Sequence, residues 1–122
     1  MLLINKKGQI MENINWDDFK KVEMRVGTIV EVNDFPEAIK PAYQLKIDLG
    51  EKIGIKQSSA QITDLYSKDN LIGKQVIAVT NFLPKKIGPF TSDCLITGFY
   101  QEDKSVVLAV PDKKILNGSL LA

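Results

Sequence analysis

The sequence has no histidine, a single cysteine, a single arginine and a single tryptophan, and 16 basic residues are nearly matched by 15 acidic ones. Each shortage closes off a class of function. Without histidine there is no Ser-His-Asp or Cys-His catalysis and no imidazole metal site. Cys94 alone forms no intrachain disulfide, which suits a reducing compartment. A net charge of +1 lacks the clear basic excess of most nucleic-acid-binding domains, while leaving room for a local basic patch. The glycines are scattered singly, so no phosphate loop forms, and no carboxylate spacing resembles a calcium loop. The adjacent acids Asp17-Asp18 diverge on a helix and read as a solvated helix start. The apolar run QVIAVTNFL is too short to span a bilayer. In MLLINKKGQI the apolar residues precede the lysines, the reverse of a signal peptide. The expectation is a cytoplasmic protein with no catalytic residues, no metal and no cofactor.

What remains is ordinary globular material. The chain has 122 residues, 44% of them hydrophobic and 25% charged, which suits one domain. A chain of that size buries roughly two-thirds of its unfolded surface and needs no staple. Residues 1–15 read as an N-terminal extension and residues 16–122 as the domain. Asn15 is a good N-cap, and acids early with lysines late suit the helix dipole, so a short helix is expected from about Trp16 to Lys20.

After that, period-2 patterning dominates. VEMRVGTIVEVND (22–34) reads as a long strand, with Gly27 marking a bulge or bend within it. DFPEAIKPA carries two prolines and forms a long loop. YQLKIDLG and IGIKQS read as the second and third strands around the turn GEK. A short helix is expected near residues 62–67. LIGKQVIAVTNF is the fourth strand, LPKKIGPFTS a second proline-containing loop, and DCLITGFY the fifth strand. QEDK makes a hairpin turn to a sixth strand, SVVLAV, and PDKKILNGSLLA closes the chain. This order is that of an all-β OB-fold, a five- to six-stranded Greek-key barrel with its helix between strands three and four. In that fold ligands meet the face of strands two and three, flanked by the first-to-second and fourth-to-fifth strand loops. Other five- or six-stranded barrels share the same pattern.

Two stretches draw attention as sites. GIKQSSAQITDLY (54–66) passes from strand to helix through a polar elbow. Ser58-x-x-Gln61 fits a capping box, and the same position lets Lys56, Gln57, Ser58, Ser59 and Gln61 present polar groups to a groove. Both readings stand. Neither serine has a base to deprotonate it, which disfavours catalysis. The second stretch is Asn81-Phe82-Leu83-Pro84-Lys85-Lys86 at the expected rim, with Phe35 and Tyr43 bordering the opposite loop and Phe90 closing this one. Such a mixture holds nucleotides by stacking and charge, or peptides by apolar pockets and backbone hydrogen bonds.

Specific residues then match a family. WDDFKKVEMRVGTIVEVNDFPEAIKPAYQLKIDLG resembles the start of the EMAP-type tRNA-binding domain. FPEAIKPAY, IGIKQSSAQIT and VTNFLPKKIGPFTSDCLITGF resemble the versions of its motifs found in the CsaA export chaperones. The likeness runs from about Trp16 to Ser119. It implies an OB-fold homodimer that binds unfolded or presecretory polypeptides, with Arg25 at a position where the family motif places a basic residue. Relatives that bind tRNA begin the first loop with His-Pro, carry Ser-Gly in the elbow and end the later loop with Ser-x-Gly-Met. This chain has Phe35-Pro36, Ser58-Ser59 and Ser92-Asp93-Cys94-Leu95 instead. The resemblance thus implies peptide binding first and tRNA binding as the alternative. A physical motive for dimerisation is the pair of short apolar ends, MLLI and ILNGSLLA, which a small barrel covers poorly.

Overall fold

The computed structural model describes residues 11–122; the segment MLLI and most of the N-terminal extension lie outside them. The first described element is the helix α1 (Trp16–Lys20), opened by a reciprocal cap. The Asn15 side chain accepts from the Asp18 amide at 2.9 Å and the Asp18 carboxylate accepts from the Asn15 amide at 3.3 Å.

Strand β1 (Met24–Asp34) follows, then β2 (Tyr43–Asp48), a single helical turn α2 (Gly50–Ile53) where a plain turn is expected, and β3 (Ile55–Ala60). Helix α3 (Lys68–Leu71) leads to β4 (Gln75–Val79). A small hairpin, β5 (Lys85–Ile87) and β6 (Phe90–Ser92), occupies the expected loop. The expected fifth strand is broken into β7 (Leu95–Ile96) and β8 (Gly98–Tyr100), and β9 (Val106–Leu108) returns beside β8. The QEDK turn is present, closed by the Gln101 amide donating to Ser105 O at 2.8 Å.

The main sheet is antiparallel, in the order β3-β2-β1-β4-β7. Its two ends meet along a seam between β3 and residues 91–94. The Asp93 amide donates to Gln57 O at 2.9 Å, the Gln57 amide to Asp93 Oδ1 at 2.7 Å, and Gln57 Nε2 to Thr91 O at 2.7 Å. The result is a nearly closed five-stranded barrel, the OB-fold. Inside it Ile29, Leu45, Ile47, Val76 and Ala78, inward members of the strands' period-2 patterns, are fully buried, joined by Leu49 after β2 and Leu71 from α3.

Three local expectations change. The bulge in β1 falls between Ile29 and Glu31, not at Gly27; Gly27 is needed because a Cβ there would collide with Ile47 and Leu49 across the ladder. The helix between strands three and four begins at Lys68, after residues 62–67. Its cap is Ser67, whose Oγ accepts from the Asn70 amide at 3.2 Å while Asn70 Oδ1 accepts from the Ser67 amide at 3.0 Å. Ser58 caps nothing. The β2–β3 ladder runs on through Leu45↔Ser58 to Tyr43↔Ala60, so the elbow is strand.

Candidate functional site: the outer face of the barrel and its two loops

Residues facing away from the core on β1, β2 and β3 are dictated by the inward ones. With Leu45 and Ile47 inside, Gln44 and Lys46 face out; their partners Asn33 and Glu31 on β1, and Ser59 and Gln57 on β3, face out with them. This face is a field of amides, a hydroxyl and one ion pair, Lys46 to Glu31 at 3.5 Å, with Asn33 Nδ2 donating to the same carboxylate at 3.0 Å. It continues through the seam. The Ser59 amide lies 3.4 Å from Ser92 Oγ, and Ser92 and Thr91 pair in turn with Lys85 and Lys86.

The two flanking loops are tied at their bases. Phe35 from the β1–β2 loop and Phe90 from β6 are buried together, ring centroids 5.5 Å apart at 56°, with Ala42 beside them and Ala38 and Ile87 packed against the cluster. Neither ring borders the groove as a free surface. The exposed apolar side chains of the loops are others: Ile39, Phe82 (54% exposed) and Leu83 (90% exposed).

The remaining expected site residues divide clearly. Ser58 is in the interior at 0% exposure, its Oγ donating to Ser59 O at 3.0 Å. Tyr43 is half-buried and donates from its hydroxyl to Tyr66 O at 2.8 Å. Asn81 acts as a clamp on the α1–β1 link: its Nδ2 donates to Lys21 O at 2.7 Å and its Oδ1 accepts from the Glu23 amide at 3.0 Å. Arg25 is largely covered, bonds Glu23 through Nε, and donates from Nη1 to Gly118 O at 2.7 Å. It anchors the C-terminal segment. Lys56 is half-buried, opposite the core residue Ile47. Gln61 is exposed just beyond β3.

Strand alternation separates the two rim lysines. Lys86 shares a face with Thr91, and Lys85 shares the opposite one with Ile87, Phe90 and Ser92. The structure thus gathers Ser59, Gln57 and the β5–β6 hairpin, and disperses Arg25, Tyr43, Ser58 and Asn81. Sequence reasoning missed Glu31, Asn33, Gln44 and Lys46. The signal was present, since these are the polar alternates to Ile29, Leu45 and Ile47.

The one thiol is far from a poised nucleophile. Burial pushes the Cys94 thiol up to about 12, with Asp93 adding to the effect, and its Sγ lies 3.7 Å from Gln57 O. Glu23 is held below the usual carboxylate range by hydrogen bonds from Arg25 and then Thr80. The arrangement is a polar outer face with an apolar rim. It offers side-chain donors and acceptors on a firm sheet, with apolar groups at the rim.

Comparison with known proteins identifies the family. Residues 24–120 match the family model described as "Putative tRNA binding domain". The crystal structure of the CsaA chaperone protein from Picrophilus torridus is 52% identical with a TM-score of 0.86, covering 90% of this chain and 100% of that one. That of chaperone CsaA from Bacillus anthracis is 41% identical, also with a TM-score of 0.86, covering 91% and 100%. The methionine–tRNA ligase of Thermococcus onnurineus is 35% identical over 114 residues, 93% of this chain but 15% of that enzyme. The chain therefore spans a small fraction of the curated ligases it matches.

Proposed function

The chain belongs to the tRNA-binding-domain family and to its CsaA branch, and from that premise we propose that it is a non-enzymatic chaperone holding unfolded or presecretory polypeptides for export. The observation that carries this reading is the burial of Phe35 and Phe90 against each other. Base stacking needs a free ring face, worth about 1–3 kcal/mol per base. Here the two loop-base rings are spent on tying the loops together, and of the exposed rim groups Ile39, Leu83 and Phe82 two are aliphatic, leaving Phe82 as the one free ring among them. Apolar rim groups beside Gln44, Gln57 and Ser59 suit an extended polypeptide, whose backbone takes hydrogen bonds and whose side chains take apolar contacts.

Binding of tRNA is the second reading. It is favoured by the family model and by Lys40, Lys85 and Lys86, which are exposed and make no ion pair among the described residues. A salt series separates the two. Binding to phosphates weakens steeply with salt, with a log–log slope set by the number of contacts, whereas binding of an apolar peptide changes little. Measuring an unfolded polypeptide and tRNA on the same preparation, the chaperone reading expects a flat peptide series and loss of peptide affinity in Phe82→Ala. A steep tRNA series with no peptide binding overturns it in favour of the second reading; joint replacement of Lys85 and Lys86 then reduces the slope.

Cytoplasmic location and a homodimer belong to the same proposal. Among the described residues no helix is long and apolar enough to cross a membrane. Trp16 on α1 and Leu120 and Leu121 near the C-terminus are exposed around one apolar groove that also includes Phe19 and Met24. Covering that groove with a second copy is the physical motive for dimerisation. Two binding faces on one particle let an unfolded chain engage both and gain effective concentration.

A further inference from the structure

The chain contains one Asn-Gly pair, Asn117-Gly118, and the fold builds a lock around it. We propose that this pair is a deamidation site held unreactive by docking of the C-terminal segment, so that isoaspartate at residue 117 forms in molecules whose segment has left β1. The chemistry needs no co-reactant beyond water. The backbone nitrogen of Gly118 attacks Cγ of Asn117, a C–N bond forms, the Cγ–Nδ2 bond breaks, and the amide proton leaves with ammonia. Water then opens the five-membered imide at either carbonyl, giving aspartate or isoaspartate. Glycine is the following residue that least crowds the attack, because it has no Cβ.

Three contacts oppose ring closure in the folded chain. The attacking amide is already engaged, donating to Val26 O at 2.7 Å. The side chain it must reach is held by two donors on Asn117 Oδ1, Thr28 Oγ1 at 2.8 Å and Gln75 Nε2 at 3.0 Å. The surrounding backbone has no slack. A Cβ on Gly50 would stand 2.6 Å from Asn117 O and one on Gly118 2.7 Å from Leu49 O, and both glycines have positive φ, +90° and +92°. The rest of the segment is paired along β1, with the Val26 amide donating to Ser119 O at 3.0 Å and the Leu121 amide to Met24 O at 2.9 Å. Gln75 adds a two-way link to Ile115, at 2.6 and 3.0 Å.

The two products differ in consequence. The interactions use Oδ1 as an acceptor, and a carboxylate accepts the same two donors, so aspartate at 117 leaves the segment docked. Isoaspartate inserts a methylene into the main chain and throws Gly118, Ser119 and Leu121 out of register with β1. A molecule that has reacted this way cannot close again, and the backbone groups of Met24 and Val26 lose their partners.

The test follows Asn117 in the full chain at mildly alkaline pH by peptide mapping and by methyltransferase labelling of isoaspartate, with and without denaturant. Reactivity of a protected site is scaled by its local opening equilibrium, so the folded protein should lose Asn117 at least about tenfold more slowly than the denatured one. The Thr28→Ala, Gln75→Ala double variant, folded by circular dichroism, should react faster than wild type, and Asn117→Asp should melt within error of it. Equal rates in folded and denatured protein overturn the proposal, as does a folded double variant reacting at the wild-type rate. If the double variant does not fold, hydrogen exchange at the Gly118 amide of the wild type decides. Its protection factor must match the slowing of deamidation, and a mismatch refutes the lock.

Discussion

Glu23 shows how much a single side chain organises here. Its carboxylate accepts from the Arg25 guanidinium and from Thr80 Oγ1 at 3.0 Å, and Arg25 reaches on to Gly118 O, so one charge links β1, the end of β4 and the C-terminal segment. Its folded pKa lies below the unfolded value near 4.5. That contribution to stability is therefore present above about pH 4.5 and is lost as pH falls through the folded value. Denaturant titrations from pH 6 to pH 3 should show wild type losing stability more steeply than Glu23→Gln across this acid range; parallel curves would refute the linkage. Cys94 gives a second residue-scale expectation. A buried thiol pushed up to about 12 holds almost no thiolate at pH 8, and the thiolate is the reactive form. A disulfide reagent should label it at the rate of global opening, with denaturant restoring prompt reaction.

At the scale of elements, the contest between Ser58 and Ser67 is instructive. Both serines precede a polar residue three positions on, Gln61 and Asn70, so both satisfy the local cap pattern. Only Ser67 caps a helix, because β2 still offers partners to Ser58, Ser59 and Ala60. A helix start there would forfeit the β2–β3 ladder at this end and the Ser59 amide's contact with Ser92 Oγ. Ser67→Ala should then cost about 0.5–2 kcal/mol, read as a shift in urea midpoint at constant slope, while the helix-capping account of Ser58 expects the same of Ser58→Ala and is not what the structure supports. The β5–β6 hairpin is the other element that local pattern hides. Pro84, Gly88 and Pro89 mark a loop, yet Ile87 and Phe90 pair across it and pack on Phe35, which turns the loop into a buttress. Phe90→Ala should cost about 3 kcal/mol, at the lower end for buried aromatic truncation, and loosen both loops together.

For the whole molecule, the OB barrel presents one outer face, and the α1 groove lies with the C-terminal residues Leu120 and Leu121. Light scattering at micromolar concentration should give the mass of two chains, and Leu120→Asp with Leu121→Asp should give one. A wild-type monomer at that concentration would remove the two-site avidity argument while leaving the binding face intact.

Sequence alone determined what rests on local periodicity and on the order of elements. The alternation that buries Ile29, Leu45 and Ile47 is readable residue by residue, and with it the strands, the barrel and its two loops. The family followed from motifs in the same order. Tertiary structure decided the environment of each side chain, because that depends on partners far away in the chain. Phe35 became a buried tie only when Phe90 met it, and Asn81 a clamp only when Lys21 and Glu23 came within reach. Arg25, on the strand at the family's basic position, became an anchor once Gly118 lay beside it. A period of two says which residues share a face; register and closure decide what that face meets.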